Sequence, residues 1–233
     1  MPALRRMKAI RMKEVEIQSF TELHDAIADY DARTVIYRGV KSVKYPLVPK
    51  IGRIVPPESA RSREWNEKEI LRLFKEQALP YLNFTPEHDW DWLSLGQQYG
   101  LPTRLLDWTA NPLVACYFAV EAPSEDDSVI YAYQKDSYIE VQKFPNPFRY
   151  NRVGKFIPKH LSRRITTQGG LFTIHPQPYE PFASKDMDKI TIPQGIRAAL
   201  KKTLSKYGVD RFSLFPGLDS LAAHIEWLQS KGY

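Results

Sequence analysis

The chain has 233 residues, of which 43% are hydrophobic and 12% aromatic, and its formal net charge is +6. This length and composition are typical of one sizeable globular domain and exclude an intrinsically disordered chain. No apolar run is long enough to span a membrane, and a lone cysteine, Cys116, excludes an internal disulfide and a multi-cysteine zinc site. We therefore expect a cytoplasmic protein with no membrane partner and with Cys116 as a small buried side chain.

The first residues are basic and lack the apolar core of a secretion signal. We expect residues 1–18 to form a flexible leader and residues 19–233 to form the domain. Three methionines close to the start are alternative translation starts: Met1, Met7 and Met12.

Hydrophobic periodicity, capping residues and Pro/Gly breaks predict short strands among several helices. In the first half of the chain they predict a helix at 19–30, a strand at 34–37, an extended loop at 40–58 and helices at 64–81 and 89–99. A strand or extended turn at 105–108 follows, and then a helix from Pro112 with Thr109 or Asn111 as N-cap. The remaining predicted elements are a strand at 128–133, an irregular stretch at 134–165, strands at 171–174 and 189–192, and helices at 194–207 and 219–229. Because strands and helices do not alternate regularly, we predict an α+β fold, a single domain whose central mixed sheet is flanked by helices.

Charged side chains interrupt the apolar and aromatic run of residues 95–120. An unpaired charge in a low-dielectric interior is costly, so Arg104 and Asp107 are expected either to pair with each other or to hold a bound ligand.

Arg38 lies at the end of a predicted buried strand, directly before Gly39. An Arg there suits bidentate contact with phosphate or carboxylate, and Gly39 permits close approach of a ligand or of backbone. Pairing of Arg38 with an acidic residue of the core is the alternative.

Two further segments carry polar groups suited to an anion. Thr109 and Asn111 precede the helix that begins at Pro112, where free N–H groups bind anions, although both types are also ordinary caps. Gln168 leads into a Gly-Gly pair whose amides either face a ligand or make a turn. We expect one polar cleft to contain the side chains of Arg38, Arg104, Asp107, Thr109 and Gln168.

Several classes of site lose support from the sequence. The five histidines have no metal-site spacing, and we expect no metal. The P-loop, G-x-S-x-G and G-x-G-x-x-G motifs do not occur, which argues against kinase, α/β-hydrolase and Rossmann chemistry.

Residues 143–164 contain seven Lys or Arg and no Asp or Glu, with aromatic residues between them. This pattern is typical of nucleic-acid surfaces, where cations meet phosphates and rings stack on bases. A solvated basic loop is the alternative interpretation. The candidate nucleic-acid contacts are Arg149, Arg152, Lys155, Arg163 and Arg164.

Four motifs together resemble the FRG domain family: Tyr37-Arg38-Gly39, Tyr-Pro-Leu-Val-Pro at 45–49, the run at 95–120, and Gln-Gly-Gly-Leu-Phe-Thr at 168–173. The family signature Q-H-[YF]-G-x-P-T-R-L-L-D-W-T, followed by P-L-x-A-x-x-F-A, is matched almost throughout. Gln98 departs from it, because the family typically has His there, and a catalytic role for that His would be lost. The resemblance covers roughly residues 20–228 and implies a setting in bacterial defence, prophage or toxin-like systems.

The order of these motifs is similar to that of ADP-ribosyltransferases and implies an ADP-ribosyltransferase-like enzyme, a transferase or a glycohydrolase, with NAD as co-substrate. Arg38 would hold the diphosphate, Thr109 would shape the nicotinamide pocket, and Gln168 or Glu140 would orient the acceptor or the ribose. Tyr99, Trp108 or Tyr117 would stack on nicotinamide. The resulting candidate NAD contacts are Tyr37, Arg38, Gly39, Tyr99, Arg104, Asp107 and Trp108. The alternative is a non-catalytic module that binds nucleic acid or another partner through residues 143–164.

Overall fold

The computed structural model describes residues 13–158 and 167–230. In these residues seven strands form one mixed sheet: β1 (Glu14–Glu16), β2 (Val35–Val40), β3 (Leu105–Thr109), β4 (Ser128–Gln134), β5 (Gly154–Phe156), β6 (Gly170–Ile174) and β7 (Met187–Ile192). Their spatial order is β1-β7-β4-β2-β3-β6-β5. The pair β1–β7 is parallel and the other neighbours are antiparallel.

Helices cover this sheet, and the predicted α+β fold with a central mixed sheet is confirmed. The α-helices of the described residues are α1 (Phe20–Ile27), α2 (Arg63–Ala78), α3 (Asp89–Gln98), α4 (Pro112–Val120), α5 (Arg197–Lys206), α6 (Arg211–Leu214) and α7 (Leu218–Gln229). Short 3-10 turns occupy Lys50–Arg53, Leu79–Tyr81, Val141–Lys143, Pro147–Arg149 and Gln194–Ile196. None of the helices in the described ranges combines the length and the apolar character that crossing a bilayer requires.

The strand period of two divides the core into clusters. Val35 and Tyr37 of β2 pack with α1, α4 and α5, and Cys116 of α4 is fully buried there. Leu105 of β3 packs with α2 and α3. The intervening residues of the strands, such as Ile36 and Trp108, form a third cluster with the loop that carries Leu47. One helix group therefore covers β2 and its neighbours, and the other covers β3, β6 and β5.

Helix α4 lies unusually close to β2. A Cβ added to Gly39 would lie 1.8 Å from the carbonyl oxygen of Ala115. Gly39 is thus needed for the approach of helix backbone, which is one of the two roles that its sequence position indicated. The N-cap of α4 is Asn111, whose side chain accepts a hydrogen bond from the Leu113 N–H at 2.9 Å.

Three expectations about local structure were wrong. The first concerns the leader: Glu14–Glu16 forms β1, and the apolar side chain of Ile17 is fully buried in the core, so the fold begins before residue 18. Residues 1–12 of the expected leader lie outside the described residues. Strand β2 continues to Val40, which places Arg38 within the strand rather than at its end. The expected irregular stretch contains β5, which pairs with β6.

Candidate functional site

Strands β2 and β3 separate after a single residue pair. They are in register only at Tyr37 and Thr109, whereas β2 pairs with β4 along Val35–Val40 and β3 pairs with β6 along Leu105–Thr109. Beyond the Tyr37–Thr109 pair the two strand edges are held by their outer neighbours and not by each other. The sheet is therefore split at its centre.

The split opens into a cleft of about 460 Å³. Its walls come from Tyr37–Val40 of β2, Leu106–Thr109 of β3, the loop between Lys41 and Arg53, the end of α3, the outer side of α4, and Gln168 with the start of β6. This volume falls within the range of small-molecule and cofactor sites. Elements distant in sequence converge here because both strand edges face the same gap.

Arg38 spans the gap between the strands. Its Nη1 donates a hydrogen bond to the carbonyl oxygen of Asp107 at 2.5 Å and lies 3.5 Å from the Asp107 carboxylate. The Arg38 Nε is buried and has no hydrogen-bond partner in the described residues. Burial lowers the pKa of Arg38, the Asp107 carboxylate opposes this effect, and the positive charge of Arg53 makes a smaller contribution that lowers the pKa. Arg38 therefore keeps unused donor capacity beside the cleft while its charge is only partly compensated.

The Asp107 side chain is 58% exposed and is held in place by α3. Gln97 Nε2 donates to its carboxylate at 2.8 Å, and Gln97 Oε1 accepts from the Thr103 hydroxyl at 2.5 Å. The neighbouring Gln98, at the position where a His was expected from the family signature, also lines the cleft. A neutral amide thus takes that place in the wall.

Thr109 and Gln168 meet at the cleft through the backbone. The Thr109 hydroxyl donates to the Gln168 carbonyl oxygen at 2.6 Å and accepts from the Asn111 N–H at 2.9 Å. The Gln168 Nε2 donates to the carbonyl oxygen of Leu214 at 3.1 Å. Gly169 follows with a φ of +55°, a conformation that favours glycine. These contacts fix the segment that closes one end of the cleft.

Arg104 lies away from the cleft, and its expected pairing with Asp107 is wrong. The Arg104 guanidinium makes two hydrogen bonds to the Glu67 carboxylate, at 2.7 and 2.6 Å, and lies 4.7 Å from the ring centroid of Phe148. Side chains three positions apart on an extended strand point to opposite faces, which separates Arg104 from Asp107. Both partners of the Arg104–Glu67 pair are buried, so it acts as a brace between α2 and the start of β3.

The aromatic residues expected to stack on a ligand are not those presented to the cleft. Tyr99 is exposed but does not line it, and Tyr117 is buried and faces a second, smaller pocket. Trp108 lines the cleft but is 97% buried, with its indole N–H on the Thr173 hydroxyl at 2.7 Å. Tyr45 is 49% exposed and lines the cleft, and the Lys41 Nζ lies 5.9 Å from the centroid of its ring.

Charged residues that the sequence reasoning missed also line the cleft: Lys41, Arg53 and Glu121. Neither the spacing of these residues nor their sequence neighbours predicts that they line the cleft. Their place there depends on how the Pro-rich loop and the end of α4 fold over the split sheet. Glu140, one of the two expected acceptor-orienting residues, lies instead in an ion pair with Lys143 at 2.8 Å and does not line the cleft.

The basic segment 143–164 does not present all its cations to solvent. Lys155 is fully buried, with Nζ donating to the Thr34 carbonyl oxygen at 3.0 Å and lying 4.3 Å from the ring centroid of Tyr138. The prediction that Lys155 contacts nucleic acid was therefore wrong, because strand β5 turns it inward. Arg149 is exposed, and Arg152 is exposed with its Nε on the Tyr150 hydroxyl at 3.2 Å. Arg163 and Arg164 lie outside the described residues.

Comparison with known proteins gives one match. Residues 33–128 match the family model of the FRG domain, whereas no curated protein and no solved structure is similar enough to count as a match. The matched stretch runs from just before β2 to the first residue of β4, so it contains the two facing strand edges and the loop with Arg53. Over residues 33–128 the chain is similar to the FRG domain family.

Proposed function

We propose that the cleft binds NAD and that the protein breaks the bond between nicotinamide and ribose, passing ADP-ribose to water or to an acceptor. The observation that carries the proposal is the split between β2 and β3, which places the Arg38 guanidinium beside Asp107, Trp108 and Thr109 in a cleft of about 460 Å³. We place this activity in the bacterial defence, prophage or toxin-like setting that the family resemblance implies.

Arg38 is the group proposed to hold the diphosphate of NAD. A guanidinium offers five N–H donors in a planar fork that matches phosphate oxygens. Only one of these donors makes a close hydrogen bond in the described residues, the bond from Nη1 to the Asp107 carbonyl oxygen. An anion that accepts from the remaining donors would add a second negative partner to the Asp107 carboxylate, which lies 3.5 Å from Arg38 Nη1.

The nicotinamide end is proposed to lie against Thr109 and to stack on Tyr45, whose partly exposed ring lines the cleft. In the reaction the C–N bond breaks, and nicotinamide leaves with the bonding electron pair. The ribose carbon forms a new bond to the oxygen of water or of the acceptor, which releases a proton. Two carboxylates line the cleft and are candidates to receive it, Asp107 and Glu121. Gln168 is proposed to orient the ribose or the acceptor.

The test is release of nicotinamide from NAD by the purified protein, alone and with added cell lysate or nucleic acid. The Arg38→Ala variant is compared with wild type and with Arg33→Ala, since Arg33 is exposed and pairs only locally with Asp31. We expect release by wild type and by Arg33→Ala and none by Arg38→Ala. Absence of release in every mixture would overturn the proposal and favour the non-catalytic module, with Arg149 and Arg152 the next residues to test.

A further inference from the structure

A second arginine faces the cleft from outside the sheet. Arg53 lines the cleft at the end of the Lys50–Arg53 turn, whereas Arg38 belongs to β2. Its side chain is exposed and has no acidic partner within 4.0 Å among residues 13–158 and 167–230. Arg53 is thus a second cation at the cleft, and it makes no close ion pair within the described part of the chain.

The turn that carries Arg53 is fixed on three sides. The Ile51 side chain is buried, and its N–H donates to the Thr103 carbonyl oxygen at 3.2 Å. A Cβ on Gly52 would lie 1.9 Å from the carbonyl oxygen of Pro178, so the turn packs directly against that backbone. Lys50 Nζ donates to the carbonyl oxygen of Gly100 at 2.5 Å. The fold therefore sets the backbone position of Arg53.

The two arginines line the same cleft, so their like charges act on each other. The charge of Arg53 contributes to the lowered pKa of Arg38, beside the larger effect of burial. Like charges held near one another at a cleft raise the free energy of the empty site, and an anion between them lowers it. One phosphate group can be held by a single guanidinium, whereas two guanidiniums from different elements match an anion with two charged groups in a row.

We propose that Arg53 and Arg38 together hold a diphosphate, so that the cleft selects ligands with two linked phosphates over ligands with one. The identity of that ligand as NAD rests on the function proposed above, but the binding of a diphosphate does not. The same chemistry is offered by the internal diphosphate of a dinucleotide and by the terminal diphosphate of a nucleoside diphosphate.

The test is calorimetric titration of the purified chain with ADP-ribose, ADP and AMP, which share the adenosine part. Wild type is compared with Arg53→Ala and with the control Arg61→Ala. Arg61 also precedes α2 in the chain and is exposed, but it contacts the Trp65 ring and does not line the cleft. We expect wild type and Arg61→Ala to bind ADP-ribose or ADP about tenfold or more tightly than AMP, and Arg53→Ala to lose that preference. Thermal melting checks that each variant is folded.

The outcomes separate this inference from the proposed function. Equal affinity of wild type for all three ligands, no binding of any of them, or an unchanged preference in Arg53→Ala overturns the diphosphate site. Preference for ADP-ribose supports an internal diphosphate, and preference for ADP alone supports a terminal one. If the preference depends on Arg53 but NAD is not cleaved, the proposed reaction fails and the diphosphate site stands. If NAD is cleaved with the same KM by Arg53→Ala, the reaction stands and this inference fails.

Discussion

Arg38 Nη1 donates a hydrogen bond to the backbone carbonyl of Asp107 at 2.5 Å, across the gap where β2 and β3 no longer pair. A side chain thus takes the place of a ladder hydrogen bond that the split strands do not make. The same guanidinium lines the cleft. Its replacement is therefore expected to affect both the stability of the sheet and the binding of an anion, to different extents.

Replacing Arg38 by Ala is expected to lower the free energy of unfolding by only about 1 kcal/mol, because the Asp107 carbonyl lies at the cleft and can bond to water instead. Binding of ADP-ribose should be lost at the same time. Urea unfolding measures the first effect and calorimetry the second, with Arg33→Ala as the control for loss of an exposed Arg. A loss of stability of several kcal/mol with retained binding would mean that Arg38 is a structural brace.

The buried Arg104–Glu67 pair is expected to behave in the opposite way. Both side chains are almost fully buried and joined by two hydrogen bonds. Removing either partner should cost about 3–5 kcal/mol of unfolding free energy, because the other charge is left uncompensated in the interior. Arg104→Met combined with Glu67→Leu should recover most of that loss, since the apolar pair needs no compensation. The cleft should keep its ligand affinity in the double variant.

A double-mutant cycle measured by urea unfolding checks this pairing. Arg104→Ala and Glu67→Ala should show strong coupling, and Arg104→Ala and Asp107→Ala should be additive. Coupling between Arg104 and Asp107 as large as that with Glu67 would contradict the geometry.

The sequence predicted the elements that carry strong local signals, including α4 with Pro112 in its first turn, α3 before Gly100, and the strand after Arg104. It also singled out Arg38, Asp107, Thr109 and Gln168, which the split sheet brings to one cleft. A polar residue within an apolar run signals that it needs a partner, but it does not say which partner.

The choice of partner depends on tertiary structure. Glu67, which pairs with Arg104, lies 37 positions earlier on a helix whose packing the local pattern does not encode. The partner of Lys155 also depends on tertiary structure. The basic composition of residues 143–164 predicted that Lys155 is exposed, whereas β5 directs it toward the Thr34 carbonyl oxygen. Arg53 was missed because its loop has no periodicity, and its place depends on tertiary contacts of the turn, such as the packing of Gly52 against Pro178.

Gly39 offers a test of the close contact between α4 and β2. Gly39→Ala would put a methyl group 1.8 Å from the Ala115 carbonyl oxygen, a backbone atom that can move only if the helix moves. We expect a loss of about 1–3 kcal/mol or more in the free energy of unfolding. Gly195→Ala is the matched control, because a Cβ there meets nothing within 4 Å. Similar unfolding midpoints for the two variants would show that α4 can shift away from β2 at little cost.

His175 lies behind the cleft wall in a chain of hydrogen bonds. Trp108 Nε1 donates to the Thr173 hydroxyl at 2.7 Å, and that hydroxyl lies 2.8 Å from His175 Nε2. Burial lowers the pKa of His175 to about 3, and the nearby positive charge of Arg38 adds to the effect. His175 is therefore neutral in the folded protein well into the acid range, while in the unfolded chain it takes up a proton near its ordinary pKa of 6.5.

Because the unfolded chain binds the proton first, stability falls as the pH drops below the unfolded pKa and continues to fall until the pH reaches the folded pKa. Between about pH 7.5 and pH 5 this group alone should lower the free energy of unfolding by roughly 2 kcal/mol. Urea unfolding of wild type and His175→Gln at both pH values isolates it, since Gln does not titrate and other groups contribute to both proteins. The difference between the two pH values should be about 2 kcal/mol smaller in the variant, even if Gln is less stable at each pH. Equal pH dependence in both proteins would mean that His175 accepts a proton in the folded state without cost.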